Sequence, residues 1–215
     1  MWKSETADQF ELALTEHAPQ FDLELSATVI ANLRKYYEIL QSWNPRLHLV
    51  APCPPREFAV RHVLESLLAI NYIDANAHVD DIGSGGGLPI IPCLAIRSDI
   101  RATLIESSPK KTVFLREALR ITGVGGRATV LASRFEDAPA PDATVVTCRA
   151  LERFTTLLPS IVEWSPANST LILFGGPSLQ SEMENAKLAY AAKHIPESDQ
   201  RFVFVIEKRE PEDKS

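Results

Sequence analysis

The sequence predicts an α/β fold in which a mainly parallel sheet carries helices on both faces. Three observations support this prediction. Short apolar strands alternate with amphipathic helices from His78 onward. A glycine-rich loop joins the first of these strands to the helix that follows it. The chain has 215 residues, of which 45% are apolar and 23% charged, so it is long enough to bury a core of its own.

The first 75 residues have a helical pattern. Ser26 is a suitable N-cap for a helix whose apolar residues recur at helical spacing. This helix is expected to end near Pro45, because proline disfavours helical geometry in the residue before it. A second apolar helix is expected from Phe58 to Tyr72.

Strands and helices alternate along the rest of the chain. We predict strands over residues 78–82, 102–106, 128–132, 143–147, 170–174 and 201–208. Helices are predicted from near residue 88 and over residues 109–122, 151–163 and 178–192. Because helices separate consecutive strands, most neighbouring strands should run parallel.

Composition and cysteine use exclude several classes of protein. The longest apolar run, Leu88 to Ile96, is about half the length that a membrane helix needs. The first residues do not have the pattern of a secretory signal. Cys53, Cys93 and Cys148 are scattered and form no CxxC pair, so we expect neither a disulfide framework nor a metal site. The expected compartment is the reducing cytoplasm.

Charge is distributed unevenly along the chain. The net charge is −6, yet the segment from Arg97 to Arg153 contains ten basic and seven acidic residues. Such a segment can bind phosphate groups on one face of the protein. Solvated helix surface would explain the same pattern.

The glycine-rich loop is the most informative segment. Asp81, Gly83, Gly85, Gly87 and Leu88 lie in an Asp-x-Gly-x-Gly-x-Gly-Leu pattern between the first strand and the next helix. The glycines allow positive φ angles and bring backbone N–H groups close to a ligand. An acid two residues before the first glycine disfavours an anion there and favours a cationic sulfonium or a ligand amine.

Residues after the next two strands extend the pattern. Glu106 ends the second predicted strand, where a carboxylate can accept hydrogen bonds from both hydroxyls of a ribose. Phe135 and Glu136 follow the third strand and could contact the adenine of the same ligand. The combination resembles a class I S-adenosylmethionine-dependent methyltransferase, and an NAD enzyme is the weaker alternative.

Several motifs are more specific and resemble the RsmG family, formerly called GidB. They are Trp43-Asn44, Arg61 to Ser66, Asp81 to Pro92, Ser107 to Leu115 and Val146 to Ala150, within a likeness over residues 32–208. The resemblance implies a Rossmann-like sheet of seven strands, with an N-terminal helical cap over residues 1–75 and a cofactor-binding core over residues 76–215. It implies S-adenosylmethionine-dependent methylation of guanine N7 in bacterial 16S ribosomal RNA, free or in the small subunit. The expected protein is monomeric and cytoplasmic, with no metal and no membrane partner.

The resemblance also assigns roles to matched positions. The residues expected to bind the cofactor are Asp81, Gly83, Gly85, Gly87, Leu88, Glu106, Phe135, Glu136 and Arg149. Lys110, Lys111 and Arg134 match basic positions expected to hold RNA phosphates. Arg149 is the expected catalytic residue, near the methyl-transfer site.

Arg149 and His62 each have more than one interpretation. Arg149 would orient the base, the methionine carboxylate or a phosphate, and the alternative is a structural ion pair with an acid such as Asp81 or Glu136. His62 is expected to be a buried hydrogen-bonding residue. A general base is not required, because guanine N7 attacks with a lone pair and has no proton to lose.

One departure from the family pattern concerns the substrate side. The family reads Leu-Lys-Gly at the end of the fifth strand, whereas this chain reads Leu173-Phe174-Gly175-Gly176 and lacks the lysine, whose expected place is Gly175. We expect either slow methylation or compensation by another cation such as Arg153. Two alternatives stay open, a small-molecule methyltransferase and a cofactor-binding module that has lost catalysis.

Overall fold

A single seven-stranded sheet forms the centre of the protein in a computed structural model, which describes residues 2–139, 141–151 and 153–209. The strands are β1 His78–Ile82, β2 Arg101–Ile105, β3 Ala128–Leu131, β4 Val145–Arg149, β5 Thr170–Gly175, β6 Ala191–His194 and β7 Phe202–Glu207. Their order is β3-β2-β1-β4-β5-β7-β6. The pairs among β1 to β5 are parallel, whereas β7 is antiparallel to both β5 and β6. The predicted mainly parallel sheet is confirmed.

Helices cover both faces of this sheet. They are α1 Trp2–His17, α2 Ala27–Leu47, α3 over residues 55–72, α4 Ile90–Ile96, α5 Pro109–Ile121, α6 Phe154–Trp164 and α7 Pro177–Asn185. Within α3 the hydrogen-bond pattern changes: a π-helical segment spans Phe58–Leu64 and a 3₁₀ segment closes the helix at Leu68–Tyr72. None of the helices in the described residues is long and apolar enough to cross a membrane.

Two apolar clusters fill the two sides of the sheet. The first joins α1 to α5 with the sheet, and its aromatic centre contains Phe10 stacked on Tyr37 at 4.5 Å and Phe58 against Tyr37 at 5.2 Å. The second packs α6 and α7 on the other face through residues such as Leu158 and Met183. The N-terminal helices therefore share a core with the sheet. A division into a cap over residues 1–75 and a core over residues 76–215 stays a prediction.

The C-terminal region differs from the helix predicted over residues 178–192. The helix ends at Asn185, Lys187 takes a left-handed φ of 55°, and the next residues form the edge strand β6. Beside this strand the ring of Tyr190 meets Phe204 of β7 at 5.6 Å. Local composition favours a helix here, but pairing with β7 adds ladder hydrogen bonds and cross-strand contacts that a helix would lack.

Helix α2 extends beyond its predicted end near Pro45 and continues to Leu47. The side chain of Asn44 donates to the backbone oxygen of Val50 and accepts from its N–H, each at 3.0 Å. These bonds fold the following loop back onto the helix end. They stabilise the helical geometry that a residue before proline otherwise avoids.

β4 begins two residues later than predicted, and this shift has a consequence for the site. Arg149 becomes the last residue of the strand, opposite Phe174 in β5. It therefore lies at the carboxyl edge of the sheet, close to the glycine loop that follows β1.

Candidate active site

A cleft with two lobes lies at the carboxyl edge of β1, β2 and β4. The strand order reverses between β1 and β4: β2 and β3 extend the sheet from β1 toward one edge, and β5 extends it from β4 toward the other. Parallel α/β sheets bind ligands at such switch points. The smaller lobe has a volume of about 390 Å³ and the larger about 680 Å³. Gly83, Ser107 and Leu151 border both lobes, so one extended ligand can occupy the two together.

The glycine loop forms the floor between the lobes. Gly83 and Gly87 have φ angles of 66° and 84°, in the left-handed region that favours glycine. A Cβ at Gly83 would lie 2.5 Å from Leu151 Cδ1, and one at Gly87 would lie 2.3 Å from Ile91 Cδ1. The Tyr36 hydroxyl of α2 donates to the Gly86 carbonyl at 2.6 Å and links the N-terminal helices to the loop. The loop therefore needs its glycines for close packing as well as for ligand approach.

Glu106 lies directly after β2, where the cofactor hypothesis requires an acid. Its Oε2 accepts from Gly85 N–H at 2.9 Å and its Oε1 from Ser108 N–H at 2.7 Å. The carboxylate is thus fixed between the glycine loop and the start of α5, and it borders the larger lobe. Each oxygen keeps acceptor capacity for a ribose hydroxyl.

Asp81 lies behind the loop and borders neither lobe. The residue is fully buried, and its Oδ1 accepts from Thr147 Oγ1 at 2.6 Å. Its Oδ2 is buried without a hydrogen-bond partner among the described residues. Burial raises the pKa of Asp81 to about 7, opposed by the Thr147 and Ser84 hydrogen bonds and aided by the charges of Glu106 and Asp80. A nearby cation stabilises the ionised form of a buried carboxylate that has one unpartnered oxygen.

The smaller lobe holds the residues predicted for the adenine side. Phe135 is buried and meets Trp164 edge-on at 5.8 Å, while Glu136 is exposed beside it. Arg134 and Arg153 border the same lobe. Arg153 thus borders the lobe of the predicted adenine residues, and its compensation for the missing strand-five lysine stays a prediction.

Arg149 borders the larger lobe, and its guanidinium is held by α3. Nη1 donates to Ser66 Oγ at 2.9 Å and Nη2 to Glu65 Oε2 at 3.2 Å, with a further bond to the Arg61 carbonyl. The same group lies 5.4 Å from the ring centre of Phe174. Burial lowers the pKa of Arg149, and the charge of Glu65 opposes this shift.

Arg149 does form an ion pair, as the alternative interpretation predicts, but not with either of the acids that the sequence suggested. The acid is Glu65 rather than Asp81 or Glu136. Glu65 is 1% exposed, and it also accepts from Arg201, at 3.0 Å from Nε and 2.6 Å from Nη2. Arg201 had no role in the sequence prediction. One signal pointed to such a partner: an acid on the apolar face of a helix requires a cation in the fold.

His62 borders the larger lobe beside these arginines. Burial, together with the charges of Arg149, Arg61 and Arg201, lowers its pKa to about 3. Its ring packs against Phe58 at 5.1 Å. At neutral pH it is a neutral side chain in the wall of the cleft.

The three predicted phosphate-binding residues are separated by the fold. Lys111 borders the larger lobe, Arg134 borders the smaller lobe, and Lys110 is exposed at the start of α5 outside both. They can therefore contact different parts of a long ligand.

The expected place of the strand-five lysine does not accept a side chain without movement. A Cβ at Gly175 would lie 2.6 Å from Leu179 Cδ2 and 3.0 Å from its Cβ. Phe174, the preceding residue, packs under Arg149 instead. Among the residues that the structure describes, no group of three or more His, Cys, Asp or Glu is arranged to hold a metal ion.

The chain is similar to curated rRNA methyltransferases over most of its length. It is 30% identical to ribosomal RNA small subunit methyltransferase G of Lactococcus lactis subsp. lactis, over 95% of this chain and 91% of the relative. The protein of the same name from Gluconobacter oxydans is 35% identical over 75% of this chain and 82% of its own length.

Solved structures show the same fold. An RNA methyltransferase from Salinibacter ruber in complex with S-adenosyl-L-homocysteine matches 77% of this chain and 99% of its own, with a TM-score of 0.55 and 21% identity. The tRNA methyltransferase TrmK of B. subtilis matches 67% of this chain and 65% of its own, with a TM-score of 0.55 and 14% identity. A sequence model described as GidB, rRNA small subunit methyltransferase G, matches residues 29–210. The chain therefore belongs to the GidB family of S-adenosylmethionine-dependent methyltransferases.

Proposed function

We propose that this chain transfers a methyl group from S-adenosylmethionine to N7 of a guanine in 16S ribosomal RNA of the small subunit. One observation carries the proposal beyond family membership. An adenosine-sized lobe and a larger lobe meet at the glycine loop, and a lysine and two arginines border the larger one. A nucleotide can therefore approach the methyl group from the side on which Lys111 and Arg149 lie.

The residues of the cleft suit the cofactor. Phe135 and Glu136 would flank the adenine, Glu106 would accept the ribose hydroxyls, and the N–H groups of the glycine loop would face the methionine part. The buried, unpaired oxygen of Asp81 favours a positive charge near the loop. When bound, the cofactor supplies an electrophilic methyl group on a sulfonium.

For this reaction the main task of the protein would be to position guanine N7 in line with the methyl group. Guanine N7 attacks with its lone pair, so a neutral His62 is no obstacle and no group has to remove a proton. Arg149 would hold the phosphate or the base so that N7 lies in line with the methyl group, and Lys111 would add a second cation. The rate would then depend on how firmly Arg149 is oriented.

The same proposal covers the compartment and the assembly. We propose that the chain acts in the cytoplasm, where a bacterial ribosomal substrate would be found, and that it acts as a monomer. The helical cap over residues 1–75 would contribute to the substrate side through the α3 residues that hold Arg149.

The test is methyl transfer from labelled S-adenosylmethionine to isolated small subunits, to free 16S rRNA and to a metabolite extract. We expect label in RNA, and nuclease digestion followed by mass spectrometry should identify 7-methylguanosine. Glu106→Ala is the matched negative variant, since it should lose cofactor affinity. Label in a small molecule, or tight cofactor binding with no transfer, would support one of the two alternatives instead.

A further inference from the structure

Three charged side chains from distant parts of the chain meet beside the larger lobe. Arg149 ends β4, Glu65 lies in α3, and Arg201 directly precedes β7. Glu65 Oε1 receives two hydrogen bonds from Arg201, and Oε2 receives one from Arg149. We call these three residues the Arg149–Glu65–Arg201 cluster.

The carboxylate of this cluster is shared unequally. The bonds from Arg201 measure 3.0 and 2.6 Å, whereas the bond from Arg149 measures 3.2 Å. Two guanidinium groups and one carboxylate leave one unbalanced positive charge. The other charged group of α3 that faces the cleft, Arg61, is paired with Glu57, and His62 is neutral near pH 7. The cluster is thus able to take one anion.

A cluster of this kind is poorly explained by stability alone. Burying ions costs free energy, and apolar replacements of buried ion pairs are often neutral or stabilising. Glu65 is 1% exposed and the Arg149 side chain 13% exposed, so both have lost most of their water. Only Arg149 of the three borders the cleft, which indicates that the other two act through it.

We propose that Glu65 and Arg201 are positioning residues for Arg149, and that the surplus charge of the cluster binds a phosphate of the substrate RNA. Arg201 donates two hydrogen bonds to Glu65, so the carboxylate is shared between two arginines. It holds the guanidinium of Arg149 in place without cancelling its positive charge. Because β7 is the antiparallel neighbour of β5, Arg201 enters at the end of β5 where the lysine is missing, next to the Gly175–Phe202 pair. Arg201, and not Arg153, is then the compensating cation. This inference rests on the proposed RNA substrate.

Charge-changing variants test the inference, because they should move RNA affinity in opposite directions. Arg201→Gln leaves the cluster neutral, so RNA binding should weaken about tenfold, the scale of one hydrogen bond to a charged group, and the salt slope should fall by about one. Glu65→Gln adds a positive charge, so binding should be at least as tight as in the parent chain, with a steeper salt dependence. Its single-turnover rate should nevertheless fall, since Arg149 loses its anchor. The double variant should regain RNA affinity but not the rate.

Two further variants distinguish an effect of the cluster's charge from a general effect on folding. Arg201→Lys keeps the charge and should restore much of the affinity that Arg201→Gln loses. Arg34→Gln removes one positive charge of α2 that is paired with Asp8, Glu11 and Glu38, and it should change neither RNA affinity nor rate. Thermal melting and cofactor titration of every variant establish that the fold and the cofactor site are intact.

The outcomes distinguish the two proposals. RNA affinity is measured by anisotropy with a fluorescent 16S rRNA fragment, independently of methyl transfer. If Arg201→Gln and Glu65→Gln shift this affinity in the same direction or not at all, the positioning inference is wrong even when the parent chain methylates RNA. If the parent chain binds the fragment and the variants shift its affinity as stated but no methyl group reaches RNA, the proposed function fails and the cluster remains an anion site.

Discussion

The cofactor side and the substrate side of the cleft are built in different ways. The side that faces the predicted cofactor consists of one short loop and the strand ends next to it, and most of its contacts involve backbone atoms. The proposed substrate side is bordered by residues of α3 and by Arg149 of β4. The contacts that hold Arg149, through Glu65 to the start of β7, join residues 84 and 136 positions apart in sequence. Local motifs specify the first region, whereas only the assembled sheet creates the second.

From this difference we expect the two regions to tolerate substitution differently. The glycine loop depends on positive φ angles and on the absence of side chains, so few substitutions are acceptable there. On the proposed substrate side the lysine of the family pattern is absent, and Arg201, directly before β7, supplies a cation that pairs with Glu65. A cation for the substrate can come from any strand or helix next to the site, whereas the loop conformation depends on the glycines at those positions.

The largest expected effect is on the substrate side. Arg149→Ala should lower the single-turnover rate of methyl transfer about a hundredfold, the scale of a small misplacement in an in-line reaction. Cofactor affinity, measured by calorimetry, should change much less. Arg153→Ala is the comparison, because Arg153 borders the adenine lobe and should affect cofactor affinity more than rate. A loss of transfer in Arg153→Ala with a normal Arg149→Ala would reverse the roles assigned to the two lobes.

The next largest effect is on the cofactor side. Glu106→Ala should weaken S-adenosylmethionine binding by roughly 1.5–3 kcal/mol, the scale for losing hydrogen bonds to a charged group. It also removes the acceptor for Gly85 and Ser108 N–H, so the loop loses its anchor. Glu136→Ala, at an exposed acid of the same cleft, is the control and should cost less. Equal losses in calorimetry, or a preference for NAD over S-adenosylmethionine, would contradict the assignment.

A smaller effect is expected for the basic residues. Lys111→Ala and Arg134→Ala should each weaken RNA binding and reduce its salt slope by about one, because each removes one phosphate contact. Lys111 borders the larger lobe and Arg134 the smaller, so only Arg134→Ala should also alter cofactor affinity. Lys110→Ala tests whether the exposed start of α5 belongs to the RNA path. RNA binding that does not depend on salt would leave these residues as solvated surface.

Asp81 gives a pH test of the cofactor side. Its pKa of about 7 in the ligand-free protein means that part of the population is neutral below pH 7. A bound cation favours the ionised form, so binding releases a proton there, and S-adenosylmethionine affinity should rise with pH up to about pH 7 and then level off. In Asp81→Asn this rise should be absent. Calorimetry in buffers of different ionisation enthalpy measures the released proton, and pH-independent affinity in the parent chain would contradict the role of Asp81.

The effect of His62 concerns the stability of the protein. It is the smallest expected effect at neutral pH, and it grows as the pH falls. The pKa of His62 falls from 6.5 to about 3 on folding, so the unfolded chain binds the proton more readily. The stability of the protein should therefore decrease as pH falls below about 6.5, and the loss should continue toward pH 3. His62→Gln removes this dependence, whereas the exposed His194→Gln serves as the matched control. Chemical denaturation at several pH values measures it, and parallel profiles for the parent chain and His62→Gln would rule it out.

Much of the fold follows from local pattern. The alternation of short apolar strands and amphipathic helices predicts the parallel sheet, and Ser26 caps α2 as expected, with Val29 N–H donating to its hydroxyl at 3.3 Å. The incorrect segments are those where tertiary contacts outweigh local preference. The strand at Ala191–His194 forms because β7 offers an edge, and α2 passes Pro45 because Asn44 binds the next loop.

The sequence alone determines the cofactor loop, because the spacing of Gly83, Gly85 and Gly87 after an apolar strand encodes a backbone conformation within a few residues. The position of Glu106 follows from the same local order, since parallel strands end at one edge of the sheet. Only the tertiary structure decides the partner of Arg149 and the importance of Arg201. Electrostatic contacts depend on distance in space, and the distance between Glu65 and Arg201 exists only after α3, β4 and β7 have packed together.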